Sequence, residues 1–244
     1  MSKSLPGVVV RDVIHGFGPV EVLHGISIEV ESGRIIGLLG PSGAGKTTLV
    51  KLIAGVDRQR SGTVHVSGEL MPSFELMERI GYVAQGDALY RELSGRENME
   101  FFGALYGLHG AALDERIHTC AGLVDLGEHL HRQVQDYSGG MKRRLSLATA
   151  LLHEPGVLIL DEPTVGIDPV LRHDVWDRLR AYADDGASIL ITTHVMDEAN
   201  HCDRVAMMRD GLLIAQDTPE GLRRTAGVDT LEEAFLHFCS RVPS

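Results

Sequence analysis

The stretch Gly40-Pro41-Ser42-Gly43-Ala44-Gly45-Lys46-Thr47, followed by Thr48, constrains this chain more than any other. It satisfies G-x-x-x-x-G-K-[ST] in a telling context. Ahead of it stands "RIIGLLG" (34–40), a short continuous apolar run; Thr47 to Ala54 then has helical spacing and is closed by Gly55. A fully apolar run of strand length belongs in a buried parallel sheet. A strand that turns on glycines into a helix aims backbone N–H groups and the positive end of the helix at one point, which cradles phosphate. Lys46 then bridges the β- and γ-phosphates and Thr47 ligates Mg²⁺.

The rest of the chain fits this start. Residues 8–14 and 20–30 alternate apolar and polar positions, like strands of a small, partly antiparallel layer. After "RIGYVAQ" (79–85) the character changes, and from about 92 to 135 the spacing is helical, with Met99, Phe102, Leu105 and Tyr106, then Ile117, Leu123 and Leu126. That segment reads as a helical insertion. Strand and helix alternation resumes at "GVLILDEPT" (156–164) and "ASILITTH" (187–194), and "RVAMMRDGLLIAQD" (204–217) reads as a hairpin about Asp210-Gly211. Thr218-Pro219-Glu220 opens a short helix, and Thr230 with Glu233 makes a capping box for the last one. The class is α/β.

Several positions carry chemistry. "VLILDE" (157–162) ends an apolar strand in two carboxylates at the sheet edge where α/β proteins bind ligands. Asp161 suits Mg²⁺ coordination, and Glu162 suits orienting and polarising an attacking water. His194, Gln85 and Phe17 mean little singly: a histidine after an apolar run is usually structural, and Phe17 reads as core or as an aromatic that stacks on adenine.

"DYSGGMKRRL" (136–145) is odder. A glycine pair precedes a helix whose first turn holds Lys142, Arg143 and Arg144, where the macrodipole opposes each cation by roughly 0.3–1 kcal/mol. Met141, Leu145, Ala148 and Leu152 share one face and read as core, while at least one or two of the three cations read as a solvated basic face.

Composition removes some alternatives. A formal net charge of −11 argues against a nucleic-acid binder. No apolar run approaches the roughly 18–20 residues of a membrane span, and the N-terminus lacks the apolar stretch of a secretory signal. Cys120, Cys202 and Cys239 read as reduced cysteines of a cytoplasmic protein. No Asn-Lys-x-Asp base reader points to a GTPase.

Taken together and in order, these elements resemble the ATP-binding-cassette (ABC) ATPases over essentially the whole chain. Phe17 matches the adenine-stacking aromatic, 40–47 the Walker A loop, and Gln85 the Q-loop glutamine. "YSGGM" (137–141) matches the signature, 157–162 Walker B, "VGID" (165–168) the D-loop, and His194 the switch histidine. Tyr137 and Met141 depart from the commonest signature, which has Leu and Gln, and Val165 and Ile167 depart in the D-loop. Together with "DEPTVGIDP", the signature looks like the branch that serves ABC-2-type exporters.

The resemblance implies a P-loop NTPase fold with a RecA-like sheet core, a small antiparallel β layer and a helical subdomain. On this reading 1–85 and 150–217 form the catalytic core with its β layer, 86–149 the helical and signature subdomain, and 218–244 a C-terminal helical extension. It implies Lys46, Glu162 and His194 as catalytic, with ATP held by Phe17, Gly40 to Thr48, Gln85, Ser138, Gly139 and Gly140. Mg²⁺ falls to Thr47, Gln85 and Asp161. The implied partners are a second cassette, identical or paralogous, in a head-to-tail dimer, and a polytopic membrane permease met near Gln85 and "GDALYRELSGRENM" (86–99). The chain would then lie on the inner face of the cell membrane. The alternative within the resemblance is a soluble ABC ATPase without transport, such as one for iron–sulfur cluster assembly.

Overall fold

The computed structural model describes residues 6–86 and 88–241, the side chain of Val170 aside; Asp87, inside the expected permease-facing stretch, lies outside the described residues. In chain order the elements are β1 (Val8–Phe17), β2 (Val20–Val30), β3 (Ile35–Leu39), α1 (Lys46–Ile53), β4 (Ser61–Val66) and β5 (Glu69–Leu70). Next come α2 (Phe74–Met77), β6 (Ile80–Val83), α3 (Gly95–Leu105), α4 (Gly110–Leu123) and α5 (Gly139–Ala150). The chain continues through β7 (Val157–Asp161), α6 (Pro169–Asp184), β8 (Ser188–Thr193), α7 (Met196–Ala199), β9 (Arg204–Arg209), β10 (Leu212–Asp217), α8 (Pro219–Ala226) and α9 (Leu231–Cys239).

The strands form an antiparallel sheet in the order β2-β1-β4-β5 and a larger sheet in the order β10-β9-β3-β8-β7-β6, parallel except for the β9–β10 hairpin. β3, β7 and β8 are buried along their whole length, as strands covered on both faces must be. Their side chains alternate between two cores. Ile35, Leu39, Leu158, Leu160, Ile189 and Ile191 join the helical side, whereas Ile36, Leu38, Val157, Ile159 and Leu190 join α1 and the antiparallel sheet.

Register decides where the chemistry goes. Leu39 pairs with Thr193, Asp161 with Thr192, and Val83 with Leu160. The residues that follow these strand ends therefore emerge along one edge, the carboxyl edge where open α/β sheets bind ligands. In β1, an irregularity between Val10 and Val13, with Asp12 at φ 47°, rephases the strand. His15 is then buried, and Phe17 runs past the end of the core to 54% exposure.

The caps follow the sequence. Thr218 and Thr230 cap α8 and α9, the latter with the full capping box, and Asp210 and Gly211 both take positive φ at the hairpin. The helical spacing at Met99, Phe102 and Leu105 forms α3, which buries Met99 and leaves Leu105 64% exposed. One expectation changes. α5 ends at Ala150, and Leu152 is buried just beyond it, so Leu152 is core without being helical. No helix among the described residues is long and apolar enough to cross a membrane.

Candidate active site

The first glycine loop is built around its own lysine. Lys46 is buried, and its Nζ donates to the carbonyls of Gly40 (2.7 Å) and Pro41 (3.0 Å). Gly45 occupies the N-cap of α1 at φ 96°, a left-handed conformation that a side chain resists. A Cβ there would also stand 2.7 Å from Leu23 Cδ2. No side chain caps α1, and no acidic residue lies in its first turn. The free N–H groups and the positive helix end are left for an anion. Burial lowers the pKa of Lys46 from its ordinary 10.5, and the charges of Glu162 and Asp161 pull it back up.

Opposite stands the carboxylate pair. Asp161 is 1% exposed; its Oδ1 accepts from Thr192 Oγ1, while its Oδ2 is buried without a hydrogen-bond partner. A buried carboxylate oxygen left open fits a cation better than an apolar core. Glu162 sits at φ 53°, an uncommon conformation for a residue with a side chain, and Thr192 holds it there. The Glu162 N–H donates to Thr192 O (3.1 Å) and Thr192 Oγ1 (3.0 Å). Its Oε1 lies 2.9 Å from His194 Nδ1, which donates when the ring proton is on that nitrogen.

One cleft of about 260 Å³ gathers Phe17, Ser42, Gly43, Gly45, Lys46, Thr47, Thr48, Gln85 and Glu162. Phe17 meets His15 edge-on at 5.2 Å, with its own ring exposed. Gly40, Pro41 and Ala44, expected with them, do not line this cleft: Gly40 and Ala44 are buried and Pro41 is exposed, and a Cβ on Gly40 would meet Met208 O at 2.3 Å. Ser138, Gly139 and Gly140 do not line this cleft. They line a second one with Arg143, Val165 and Gly166, and the two clefts share Gln85 and Glu162.

The second glycine loop has a different geometry. Ser138 is the N-cap of α5, in extended conformation, and its Oγ accepts from Met141 N (3.2 Å). Tyr137, where the commonest signature has Leu, is buried and donates its hydroxyl to His129 O (2.7 Å). Of the three cations, Lys142 is half-buried and the two arginines lose the solvated reading. Arg144 is buried and donates to the carbonyls of Val124 and Asp125, both at 2.8 Å. Arg143, 6% exposed, donates to the carbonyls of Ala84, Gln85, Asp161 and Glu162.

Sequence reasoning also passed over Thr192 and Glu198. Glu198, buried, accepts from Thr164 Oγ1 after Walker B and from Thr193 Oγ1 (2.8 Å) beside His194. Nothing in "TTHVMDEAN" distinguishes this glutamate from a solvated helix acid. Among the described residues, no group of three or more His, Cys, Asp or Glu side chains is placed to hold a metal by itself.

A parallel sheet that sets a glycine-lysine phosphate loop after β3 and an Asp-Glu pair at the end of β7, with only β8 between them, defines a P-loop nucleoside triphosphatase. The family model described as ABC transporter matches residues 23–165, more than half of the chain. The chain belongs to the ABC transporter family, as its ATPase cassette. It is 41% identical over 226 residues to a Nod factor export ATP-binding protein I of Burkholderia lata, covering 91% of this chain and 74% of that protein. It is 39% identical over 219 residues to a daunorubicin resistance ATP-binding protein of Streptomyces coeruleorubidus, covering 88% and 69%. A solved ATP-binding subunit of an ABC transporter superposes with a TM-score of 0.88 at 28% identity, covering 95% of this chain and 99% of that one.

Proposed function

We propose that this chain hydrolyses ATP with Mg²⁺ and, as one of a head-to-tail pair of cassettes, powers export through a separate membrane permease. The observation that carries the hydrolytic reading is the Glu162–His194 contact of 2.9 Å facing the buried Lys46. In this reading the Gly43–Thr48 amides and Lys46 hold the phosphates, and Phe17 packs on the adenine. Thr47, Gln85 and Asp161 would hold Mg²⁺, which supplies charge neutralisation on the β- and γ-phosphate oxygens. Glu162 orients the water and takes up its proton, and His194 fixes the carboxylate through Oε1. The open Asp161 Oδ2 supports the metal assignment.

Two cassettes are invoked because Ser138, Gly139 and Gly140 line a cleft without any Walker A residue. Facing a second chain, they offer the Ser138 hydroxyl and the first amides of α5 to the partner's γ-phosphate. Each chain brings a net charge of −11, so bare association is opposed and nucleotide at the seam supplies the missing attraction. Closing on ATP and opening after hydrolysis is then a two-state switch that a permease can follow. We assign 1–85 and 150–217 to the catalytic core, 86–149 to the helical and signature subdomain that meets the permease, and 218–244 to a C-terminal extension. Export rests on the likeness to export and drug-resistance ATP-binding proteins. The test is purification of the tagged chain from detergent-solubilised membranes after expression with its neighbouring genes. A polytopic membrane protein recovered in stoichiometric amount, and stimulating the ATPase, is expected; recovery with soluble partners only overturns the transport reading.

A further inference from the structure

Arg143 lines the signature cleft and yet spends its donors on backbone carbonyls of the catalytic core. Its guanidinium reaches across from α5 to the ends of two core strands. Nη1 donates to Ala84 O (2.6 Å) and lies 3.4 Å from Gln85 O; Nε and Nη2 donate to Glu162 O (3.1 and 2.7 Å), and Nη2 also to Asp161 O. One side chain thus holds the backbone at the Q-loop glutamine and at both Walker B carboxylates. A guanidinium does this well because its five donors sit in one rigid fork, and a lysine has only a rotating point charge.

The same residue belongs to the helix that starts at Ser138. α5 is a continuous helix from Gly139 to Ala150, so fixing Arg143 fixes where the Ser138–Gly140 turn points. A second contact acts the same way: a Cβ on Gly140 would lie 2.8 Å from Gly166 O, so the signature turn rides directly on the D-loop backbone. On the core side, Glu162 is held at φ 53° between Thr192 on β8 and Arg143 on α5. A shift of α5 must either carry the Glu162 backbone with it or strip donors from a buried guanidinium, which is costly. Intermediate arrangements are penalised, so the linkage behaves as a two-state element.

We propose that Arg143 is a positioning residue that couples the two nucleotide sites of the dimer. It ties the state of this chain's own Gln85 and Glu162 to the presentation of its signature turn at the partner's site. The proposal rests on the head-to-tail reading. Coupling of this kind is reciprocal, so each occupied site favours closure at the other.

Arg144 supplies an internal control. It is one residue away on the same helix, equally buried, and donates to two carbonyls, but only to Val124 and Asp125 at the end of α4. The experiment measures ATPase rate against ATP concentration, affinity for a fluorescent ATP analogue, and melting temperature, for wild type, Arg143→Gln, Arg143→Lys and Arg144→Gln. Wild type is expected to show a Hill coefficient above 1. Arg143→Gln should keep analogue affinity within about twofold, lose about tenfold in kcat, and fall towards a Hill coefficient of 1, with Arg143→Lys between them. Arg144→Gln should lower the melting temperature and keep the wild-type Hill coefficient. If Arg143→Gln does not fold, Arg143→Lys carries the comparison. A Hill coefficient unchanged in the Arg143 variants, or lowered equally by Arg144→Gln, overturns the proposal. So does a wild-type value of 1 when Glu162→Gln still forms an ATP-dependent dimer. Absence of that dimer overturns the head-to-tail reading itself, and sizing chromatography separates the two failures.

Discussion

The Walker A loop and the signature loop use the same residue types, glycines followed by cations at the start of a helix, and reach opposite geometries. The first is left-handed at Gly43 and Gly45, leaves α1 uncapped and buries its cation within the loop. The second has ordinary negative φ at both glycines, caps α5 with Ser138 and sends two of its three cations, Arg143 and Arg144, backwards into the fold. A hydroxyl that accepts from a cap N–H still has its own proton to donate. The first loop is therefore shaped to enclose an anion, and the second to present a finished surface to one held elsewhere. Glycine is needed in one for conformation and in the other for close approach.

The sharpest break of this contrast lies at Glu162, one of the two residues both clefts share. Glu162→Gln should lower turnover by about 10²–10⁴-fold while keeping ATP binding, and should trap an ATP-bound dimer on a sizing column. Turnover at the wild-type rate would remove Glu162 from the chemistry. Lys46→Ala belongs to the first loop alone and should weaken ATP binding on the order of 100-fold in equilibrium dialysis. Affinity within a few-fold of wild type would mean the enclosed lysine does not reach phosphate.

Smaller effects separate the loops by conformation. Gly45→Ala meets both a φ of 96° and the Leu23 side chain, so it should cost about 1–3 kcal/mol in urea unfolding. Gly139→Ala meets nothing within 4 Å at a negative φ, and should leave the unfolding midpoint unchanged or slightly raised. Equal losses would erase the distinction. Ser138→Ala should cost about 1 kcal/mol as a lost N-cap. It should also weaken the ATP-dependent dimer without changing nucleotide affinity in the monomer.

The smallest effect lies outside both loops. His153 stacks on Tyr106 at 3.7 Å, and burial lowers its pKa from 6.5 to about 4. The unfolded chain takes up that proton near pH 6.5 and the folded one does not until about pH 4. The stabilisation is therefore complete above 6.5 and lost as pH falls through this window. His153→Phe should flatten acid unfolding between pH 6.5 and 4 and leave nucleotide affinity unchanged at both ends. An unaltered acid limb would show that His153 does not carry it.

Most of the site could be read from the chain because its parts are local. A strand, a glycine turn and a helix start lie within fifteen residues, and the N–H cradle follows from their order. The caps at Thr218 and Thr230 are local in the same way. What escaped reading was built across the fold. Thr192 as the partner of Asp161, Glu198 between Thr164 and Thr193, and Arg143 on four carbonyls each join residues from separate elements. Which of Lys142, Arg143 and Arg144 would be solvated could not be read from three neighbouring cations; Arg143 and Arg144 are buried. The spacing that marked Met99 and Leu105 as helical did not tell which is buried: Met99 is, and Leu105 stands in solvent.

By itself the sequence determined the class of fold, the order of the motifs and the phosphate-binding chemistry, because each depends on backbone conformations that nearby residues dictate. Only the tertiary structure decided which strand ends meet, that the signature turn lies in a cleft apart from Walker A, and where the signature helix sends its arginines. Those outcomes depend on strand register and on buried carbonyls that need donors, and both are settled when distant segments pack.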